Sequence, residues 1–332
     1  MKLDELAKIA GVSRTTVSYV VNGKAKEYRV SDKTIQKVTA LIEQYQYKPN
    51  AIAAGLRAGK THTIGLIIPD FENSSYARIA NALENRCREH GYQLIITCSN
   101  DNPANEKDCA KNLFLRKVDA LIVSTCLANP QDFYPQTVNK TPIVYLDRPS
   151  QDTASLMVLS DDEQDAYHLA QRLLQSHKKM NNLLFLGALS ELPVSQQRQA
   201  GFARLTQEYG INANLVYAEQ FSKEAASQAF QTWIDQHGMP DSIFVTSLTL
   251  LRGIFLVLLN HYQSIPKSIN IATFGNHEML DLIPNLVICA EQNHSKIVDT
   301  LWQLIDKKLN KKKALQVDNI TVIPRHLLVR NI

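Results

Sequence analysis

From Ile64 to near the C-terminus, short apolar runs alternate with amphipathic stretches of helical period, such as residues 76–90 and 105–116. Alternation of this kind builds parallel sheets that carry helices on both faces, so the region predicts a doubly wound α/β fold. Its length favours two lobes over one. The runs that we interpret as strands are residues 64–68, 93–97, 120–124, 143–146, 156–159, 183–186, 242–245, 269–273 and 287–289.

The first sixty residues show no such alternation and instead predict three helices. An amphipathic helix over residues 3–10 and a second over residues 14–22 are separated by a turn at Gly11 and by Ser13, a suitable N-cap. A third helix is predicted over residues 31–45. Its inward positions are Ile35, Val38, Leu41, Ile42 and Tyr45.

Charge is distributed unevenly along the chain. Residues 1–60 contain eleven Lys and Arg against five Asp and Glu, a net charge of +6. The other residues contain 25 basic and 27 acidic side chains, a net charge of −2. A basic N-terminal segment on a nearly neutral body is typical of a nucleic-acid-binding protein.

The second predicted helix has one apolar and one polar face. On a wheel of about 100° per residue, one arc holds Val17, Val20 and Val21. The opposite arc holds side chains that can all form hydrogen bonds: Arg14, Thr15, Ser18, Tyr19 and Asn22. Such a face fits the DNA major groove, where arginine can bind guanine with two hydrogen bonds. A solvated surface helix is the alternative, but the tight turn, the N-cap and the positive charge favour DNA.

Several motifs resemble the lactose/galactose repressor family. They are the run Leu6-Ala-Lys-Ile-Ala-Gly-Val-Ser-Arg-Thr-Thr-Val-Ser-Tyr-Val-Val-Asn-Gly23, Arg29-Val-Ser31, Tyr47-x-Pro-Asn-x-x-Ala53, Ile64-Gly-Leu-Ile-Ile-Pro-Asp70, Gly91-Tyr92, Val118-Asp119, Leu146-Asp-Arg148 and Arg198-x-x-Gly-Phe202. The resemblance covers the whole chain. It implies a multidomain regulator, with an all-α helix-turn-helix headpiece and a two-lobed α/β effector domain of the type I periplasmic-binding-protein kind.

We expect three parts: a headpiece over residues 1–48, a hinge over residues 49–62 and a body over residues 63–332. Lobe one of the body is expected over about 63–159 and 291–321, and lobe two over about 160–290 and 322–332. By resemblance, the body dimerises on two-fold-symmetric operator DNA. A tetramer stays open as an alternative.

The hinge contains a segment, residues 51–57, that is too short to form a stable helix alone in water. The resemblance implies a helix that forms on DNA, with Leu56 as a wedge in the minor groove. A loose linker is the alternative. The side chains expected to contact DNA are Ser13, Arg14, Thr15, Thr16, Ser18, Tyr19, Asn22, Lys26, Arg29, Asn50, Ala53, Leu56 and Arg57.

Polar side chains follow several of the predicted strands, where doubly wound folds bind ligands. From strand position and resemblance together, we expect the effector to contact Asn73, Ser75, Tyr76, Arg78, Asp147, Arg148, Ser195, Arg198, Phe274, Asn276 and Gln292. Two or three arginines in one cleft favour a phosphorylated ligand. Pairing of Arg78 or Arg148 with a nearby carboxylate is the alternative.

The identity of the effector is suggested by a branch of the family. The segments 23–29 and 50–59 resemble regulators that respond to fructose, which implies fructose 1-phosphate or fructose 1,6-bisphosphate as effector and genes of carbon metabolism as targets. Many family members have two acids after the aromatic residue equivalent to Phe274, whereas this chain has Gly275-Asn276-His277. The change is compatible with an anionic ligand, and a neutral sugar or nucleoside stays open as an alternative.

Other functional classes are disfavoured by the sequence. The chain lacks an N-terminal apolar signal segment and any apolar run of membrane-spanning length, and its five cysteines form no CxxC pair, so we expect reduced thiols in the cytoplasm. No phosphate-loop, dinucleotide, zinc-protease or serine-hydrolase motif occurs, so we expect no enzyme, metal or cofactor. The acidic run Asp161-Asp162-Glu163 is interpreted as an exposed helix start rather than a metal site. A periplasmic sugar-binding protein and a non-specific DNA-binding protein are weaker alternatives.

Overall fold

The computed structural model describes residues 1–47, 59–134, 141–176, 180–310 and 318–331. The chain divides into two compact units, Met1–Thr61 and His62–Ile332. The predicted hinge segment 51–57, with Asn50, Ala53, Leu56 and Arg57, lies outside the described residues.

In its described residues, the N-terminal unit has three helices: α1 (Leu3–Ala10), α2 (Arg14–Val21) and α3 (Asp32–Gln44). The hydroxyl groups of Ser13 and Ser31 accept hydrogen bonds from the backbone N–H groups three residues later, so both serines are N-caps. The helices enclose a small core of Leu6, Ala7, Ala10, Val17 and Val38.

The prediction for Tyr45 is wrong. Helix α3 ends at Gln44, and Gln46 adopts a positive φ of 47° that turns the chain. Tyr45 is therefore 45% exposed, and Tyr47 packs against the core in its place.

In the C-terminal unit, the part of the chain that the structure describes has twelve strands in two six-stranded sheets. Their bounds are β1 (Thr63–Ile68), β2 (Gln93–Cys98), β3 (Ala120–Val123), β4 (Ile143–Leu146), β5 (Leu156–Leu159), β6 (Leu183–Ala188), β7 (Ala213–Ala218), β8 (Ser242–Val245), β9 (Asn270–Phe274), β10 (Val287–Glu291), β11 (Ile320–Val322) and β12 (His326–Arg330). Sheet one has the order β11-β5-β4-β3-β1-β2, and sheet two has the order β12-β10-β9-β8-β6-β7. All pairings are parallel except β10 with β12, so the predicted α/β architecture is confirmed.

Helices cover the faces of both sheets and complete their apolar cores. In chain order they are α4 (Ser74–Glu89), α5 (Pro103–Leu115), α6 (Pro130–Phe133), α7 (Asp162–Ser176), α8 (Pro193–Glu208), α9 (Lys223–His237), α10 (Leu248–Tyr262) and α11 (His294–Asn310), with a 3-10 turn at Glu278–Leu282. None of the helices in the described ranges is long and apolar enough to cross a membrane.

The chain passes between the two sheets three times: from β5 to α7, from β10 to α11, and from β11 to β12. Helix α11 packs against α4 of the first lobe. We call the part built on sheet one lobe one and the part built on sheet two lobe two. The three crossings bring residues near 160, 292 and 325 beside the strand ends of both lobes, so these residues border the cleft between the lobes.

Candidate functional site

The polar face of α2 is the candidate DNA-reading surface. Arg14, Thr15 and Asn22 are exposed, and Ser18 and Tyr19 are partly buried. Arg14 forms an ion pair with Asp4 in which Nε and Oδ1 are 3.1 Å apart, and both side chains are more than half exposed. Exposed pairs of this kind contribute about 0–1 kcal/mol. Asp4 therefore orients Arg14 without preventing it from turning to a base.

Polar side chains at the N-cap of α2 and along the helix also bond to one another. The hydroxyl groups of Ser13 and Thr16 lie 2.8 Å apart. The Asn22 amide donates to the Ser18 carbonyl at 2.8 Å and to the Ser18 hydroxyl at 3.1 Å. These bonds hold four predicted DNA contacts in fixed rotamers, which reduces the entropy lost on binding.

An aromatic stack joins α2 to the loop that follows it. The rings of Tyr19 and Tyr28 are stacked and nearly parallel, with an interplanar angle of 2° and centroids 3.9 Å apart. The Lys24 N–H donates to the Tyr19 carbonyl at 2.8 Å, which fixes the start of the loop. The loop thereby carries the exposed side chains of Lys26 and Arg29 close to α2. Sequence reasoning missed Tyr28, because nothing in the spacing of the loop shows which ring it meets.

The second candidate site is a cleft between the two lobes of the C-terminal unit. Side chains from the carboxyl ends of strands in both sheets line two adjoining pockets. They are Pro69, Asp70, Asn73, Ser75, Tyr76, Asp101, Asp147, Arg148, Val194, Arg198, Phe221, Thr246, Ser247, Leu248, Thr249, Phe274, Gly275, Gln292 and Arg325. Eight of the eleven predicted effector residues are in this lining.

Arg148 follows β4 and is buried beside the loop after β2. Its Nη1 donates to the carboxylate of Asp101 at 2.5 Å and to the carbonyl of Thr125 at 3.4 Å. Arg148 therefore lines the cleft and also pairs with a nearby carboxylate, which was the alternative to ligand binding for this residue. Its Nε is buried and has no hydrogen-bond partner among the described residues. A buried donor without a partner is costly, so this atom is suited to meet a ligand oxygen.

Arg198, on α8, lies over an aromatic ring. Its guanidinium carbon is 4.2 Å from the centroid of Phe274. Its Nε donates to Asp162 at 2.7 Å, and its Nη1 donates to the carbonyl of Thr246 at 2.6 Å. The stack and the two hydrogen bonds fix the plane of the guanidinium, which pre-organises it for a ligand.

Arg325 is a third buried arginine, and sequence reasoning missed it. It lies between β11 and β12 and forms ion pairs with Asp165 at 2.8 Å, with Asp162 at 3.1 Å and with Asp147 at 3.7 Å. The interpretation of Asp162 as part of an exposed helix start is wrong, because the residue is 2% exposed beneath these two arginines. The third lobe crossing was the only signal in the sequence that pointed to this segment.

Asp147 is the acceptor at the centre of the cleft. It receives hydrogen bonds from the Tyr76 hydroxyl at 2.9 Å and from the Gln292 amide at 2.7 Å. Burial acts to raise the pKa of Asp147, but Arg325 and Arg198 outweigh it and hold the pKa below its ordinary value. The group is therefore an ionised acceptor at neutral pH.

Three predicted effector residues lie outside the lining of the cleft. Arg78, in lobe one, forms an ion pair at 3.1 Å with Glu291, in lobe two. Pairing with a carboxylate was the alternative to ligand binding for this residue. The Ser195 hydroxyl donates to the carbonyl of Ala188 at 2.6 Å and is buried in the first turn of α8. The carbonyl oxygen of the Asn276 side chain accepts from the Cys289 thiol. Each of these side chains forms a bond to a neighbouring group in the structure, and its position at a strand end did not predict that bond.

The sequence matches two family models. Residues 2–50 match the model for bacterial regulatory proteins of the lacI family. Residues 61–312 match the model for periplasmic binding proteins and the sugar-binding domain of that family.

Named relatives are similar along the full length. The chain is 45% identical to the catabolite repressor/activator of Salmonella typhimurium, covering all of this chain and 99% of the relative. It is 40% identical to the fructose operon regulatory protein of Vibrio cholerae, covering 99% of this chain and all of the relative. A crystal structure of the Cra transcriptional dual regulator from Pseudomonas putida, in complex with fructose 1-phosphate, is similar with a TM-score of 0.72 and 33% identity. The alignment covers 80% of this chain and 98% of that one.

Proposed function

Because the chain belongs to the lacI family of bacterial regulatory proteins, we propose that a sugar phosphate, with fructose 1-phosphate as the first candidate, controls its binding to operator DNA. The protein is a DNA-binding transcription regulator and not an enzyme. We propose that its target genes are those of carbon metabolism, because two of its relatives are named a catabolite repressor/activator and a fructose operon regulatory protein. We expect it to act in the cytoplasm, where operator DNA lies.

The observation that carries the effector proposal is the set of three buried arginines that meet in one cleft. Arg148, Arg198 and Arg325 are each at least nine-tenths buried. Four carboxylates, those of Asp101, Asp147, Asp162 and Asp165, pair with these three arginines, so the cleft has no excess positive charge. A phosphate would accept hydrogen bonds from the pre-organised guanidinium groups and would replace some of their carboxylate partners. Its binding would therefore depend on these hydrogen bonds rather than on an excess of positive charge in the cleft.

The size of the cleft supports a coupling between ligand and conformation. Its two pockets have cavity volumes of about 40 and 30 Å³, which is room for a few water molecules. A sugar phosphate is larger, so it enters only if the lobes or the arginines move. Motion of the lobes is the means by which the effector would change the affinity of the headpiece for DNA.

A neutral sugar or nucleoside is the second candidate effector, and Asp101 and Asp147 favour it because carboxylates accept hydrogen bonds from hydroxyl groups. Calorimetric titration of the full chain with fructose 1-phosphate, fructose 1,6-bisphosphate and fructose separates the two. Heat from a phosphorylated ligand alone supports the proposal. No heat from either phosphate at millimolar concentration would refute it.

For the DNA side, we propose a homodimer in which two headpieces read the half-sites of one operator. The contacts proposed for each headpiece are those of the α2 face and its loop, with Leu56 of the hinge in the minor groove. Selection of preferred sequences from a random DNA pool tests this: a two-fold-symmetric consensus is expected, and the absence of any consensus would contradict it. Sedimentation of the same preparation measures whether the dimer or the alternative tetramer forms.

A further inference from the structure

A hydrogen-bonded chain of four side chains runs along one edge of the cleft. The Nε2 of His294 lies 2.8 Å from the Ser75 hydroxyl. That hydroxyl bonds to the side-chain oxygen of Gln292. The Gln292 amide nitrogen in turn donates to Asp147 at 2.7 Å. Ser75 lies in the first turn of α4, whereas Gln292 and His294 lie at the second lobe crossing, so the chain of bonds joins lobe one to the crossing.

One carboxylate determines the direction of every bond in this chain. Asp147 is ionised and can only accept, so the amide nitrogen of Gln292 must face it. The Gln292 oxygen therefore faces Ser75, and the Ser75 hydroxyl must donate its only proton to that oxygen. The remaining bond can form only if His294 donates from Nε2 to the Ser75 oxygen.

The surroundings of His294 agree with this direction. Burial is the main cause that lowers the pKa of His294, and Arg78 on α4 lowers it further, while Glu291 at the end of β10 opposes both. The ring is thus neutral near pH 7 and carries a single proton. The bond to Ser75 requires that proton to be on Nε2.

We propose that His294 is a positioning residue for effector recognition, which rests on the function proposed above for the cleft. By donating to Ser75, His294 orients the Ser75 proton toward Gln292. The edge then presents only acceptors to a ligand: the free lone pairs of Ser75, Gln292 and Asp147. Such an edge binds sugar hydroxyl groups and repels phosphate oxygens, so it orients the ligand with its phosphate toward the arginines.

The direction of the bonds can be measured on the ligand-free full chain. Long-range ¹⁵N NMR of protein labelled at its histidine rings reports which nitrogen carries the proton, and the His294→Gln variant assigns the signal. We expect a neutral ring protonated at Nε2. A ring protonated at Nδ1 would overturn the inference without bearing on whether the cleft binds a sugar phosphate.

The role in recognition is tested by calorimetry with fructose 1-phosphate. His294→Phe keeps an aromatic ring but loses the donor, and we expect it to weaken binding about tenfold. His294→Gln keeps a donor at the position of Nε2, and it should stay within about threefold of wild type. His168→Phe, at an exposed histidine on α7 that bonds to Gln164, is the matched control and should bind as wild type does.

A double-substitution cycle separates positioning from general damage to the fold. In a Ser75→Ala background, His294→Phe should have almost no further effect, because the hydroxyl that it orients is gone. Additive losses would overturn the inference, as would a His294→Gln variant as weak as His294→Phe. If the wild-type chain itself gives no heat with fructose 1-phosphate, the proposed function fails, and the role of His294 in recognition fails with it.

Discussion

Replacement of Arg325 by methionine tests the charge arrangement beneath the cleft. The Arg325 side chain is 2% exposed and lies against three carboxylates, whose side chains are at most 10% exposed. Without it, Asp162 keeps Arg198, and Asp147 keeps its bonds from Tyr76 and Gln292. Asp165 loses the only side-chain donor that it has among the described residues.

The expected cost follows from that buried, uncompensated charge. Removal of one partner from a buried ion pair typically costs about 3–5 kcal/mol. We expect Arg325→Met to lower the free energy of unfolding by about this amount at pH 7.5. Urea unfolding followed by tryptophan fluorescence measures it, and Trp233 and Trp302 report on lobe two and lobe one respectively.

The loss should depend on pH in a defined direction. Burial already raises the pKa of Asp165 although Arg325 opposes it, so removal of Arg325 raises it further. The folded variant then holds a proton that the unfolded chain has released, and its stability falls as the pH rises. The deficit relative to wild type should therefore be smaller at pH 5 than at pH 7.5.

Two further variants make this prediction refutable. Asp165→Asn in the Arg325→Met background should recover stability, because it removes the uncompensated charge. Arg204→Met, which breaks a half-exposed pair with Glu163, is the control and should change stability little. If Arg325→Met resembles that control, or if Asp165→Asn adds a further loss, the reasoning is wrong.

Three predictions concern the DNA side. Arg14→Ala should weaken operator binding by about 1–3 kcal/mol and relax the preference at one base position. Binding to a panel of single-base operator variants measures this, and equal weakening on all of them would contradict base reading by Arg14. Tyr28→Ala should weaken operator binding by about 0.5–1.5 kcal/mol because it removes the stack on Tyr19. Tyr45→Ala, at an exposed ring, is the control and should leave binding unchanged. Fluorescence anisotropy titration compares the two variants, and equal effects would contradict a role of the stack in DNA binding. Leu56→Ala should reduce operator affinity and DNA bending far more than dimerisation, as measured by gel shift and sedimentation, and unchanged affinity would contradict the wedge.

The sequence predicted the strands that are buried on both faces, because such strands appear as continuous apolar runs. It also predicted the half-buried edge strand β2, which contains the apolar run 94–96. It did not predict β7, an edge strand whose residues are mostly half-buried. It also missed β11 and β12, which carry exposed residues at the sheet edges. An edge strand packs on fewer neighbours, so its composition is less constrained.

In the cleft, eight of the eleven residues predicted from strand-end position and resemblance are in the lining, because a parallel sheet brings its carboxyl ends together. They could not identify which side chains are already bonded elsewhere. Arg78 and Ser195 have the right position but turn to Glu291 and to the backbone of Ala188. Arg325 and Asp162 are brought in by lobe crossings, and contacts made by crossings depend on tertiary packing rather than on local pattern.

In the proposed function, ligand binding in the cleft controls DNA binding by the headpiece. This control is tested most directly by titrating the full chain onto its selected operator at fixed salt, with and without saturating fructose 1-phosphate, and with fructose as the neutral control. We expect fructose 1-phosphate to weaken operator affinity by at least about fivefold, the lower end of ordinary allosteric coupling, and fructose to leave it unchanged. Equal operator affinity with and without fructose 1-phosphate would contradict the proposed function.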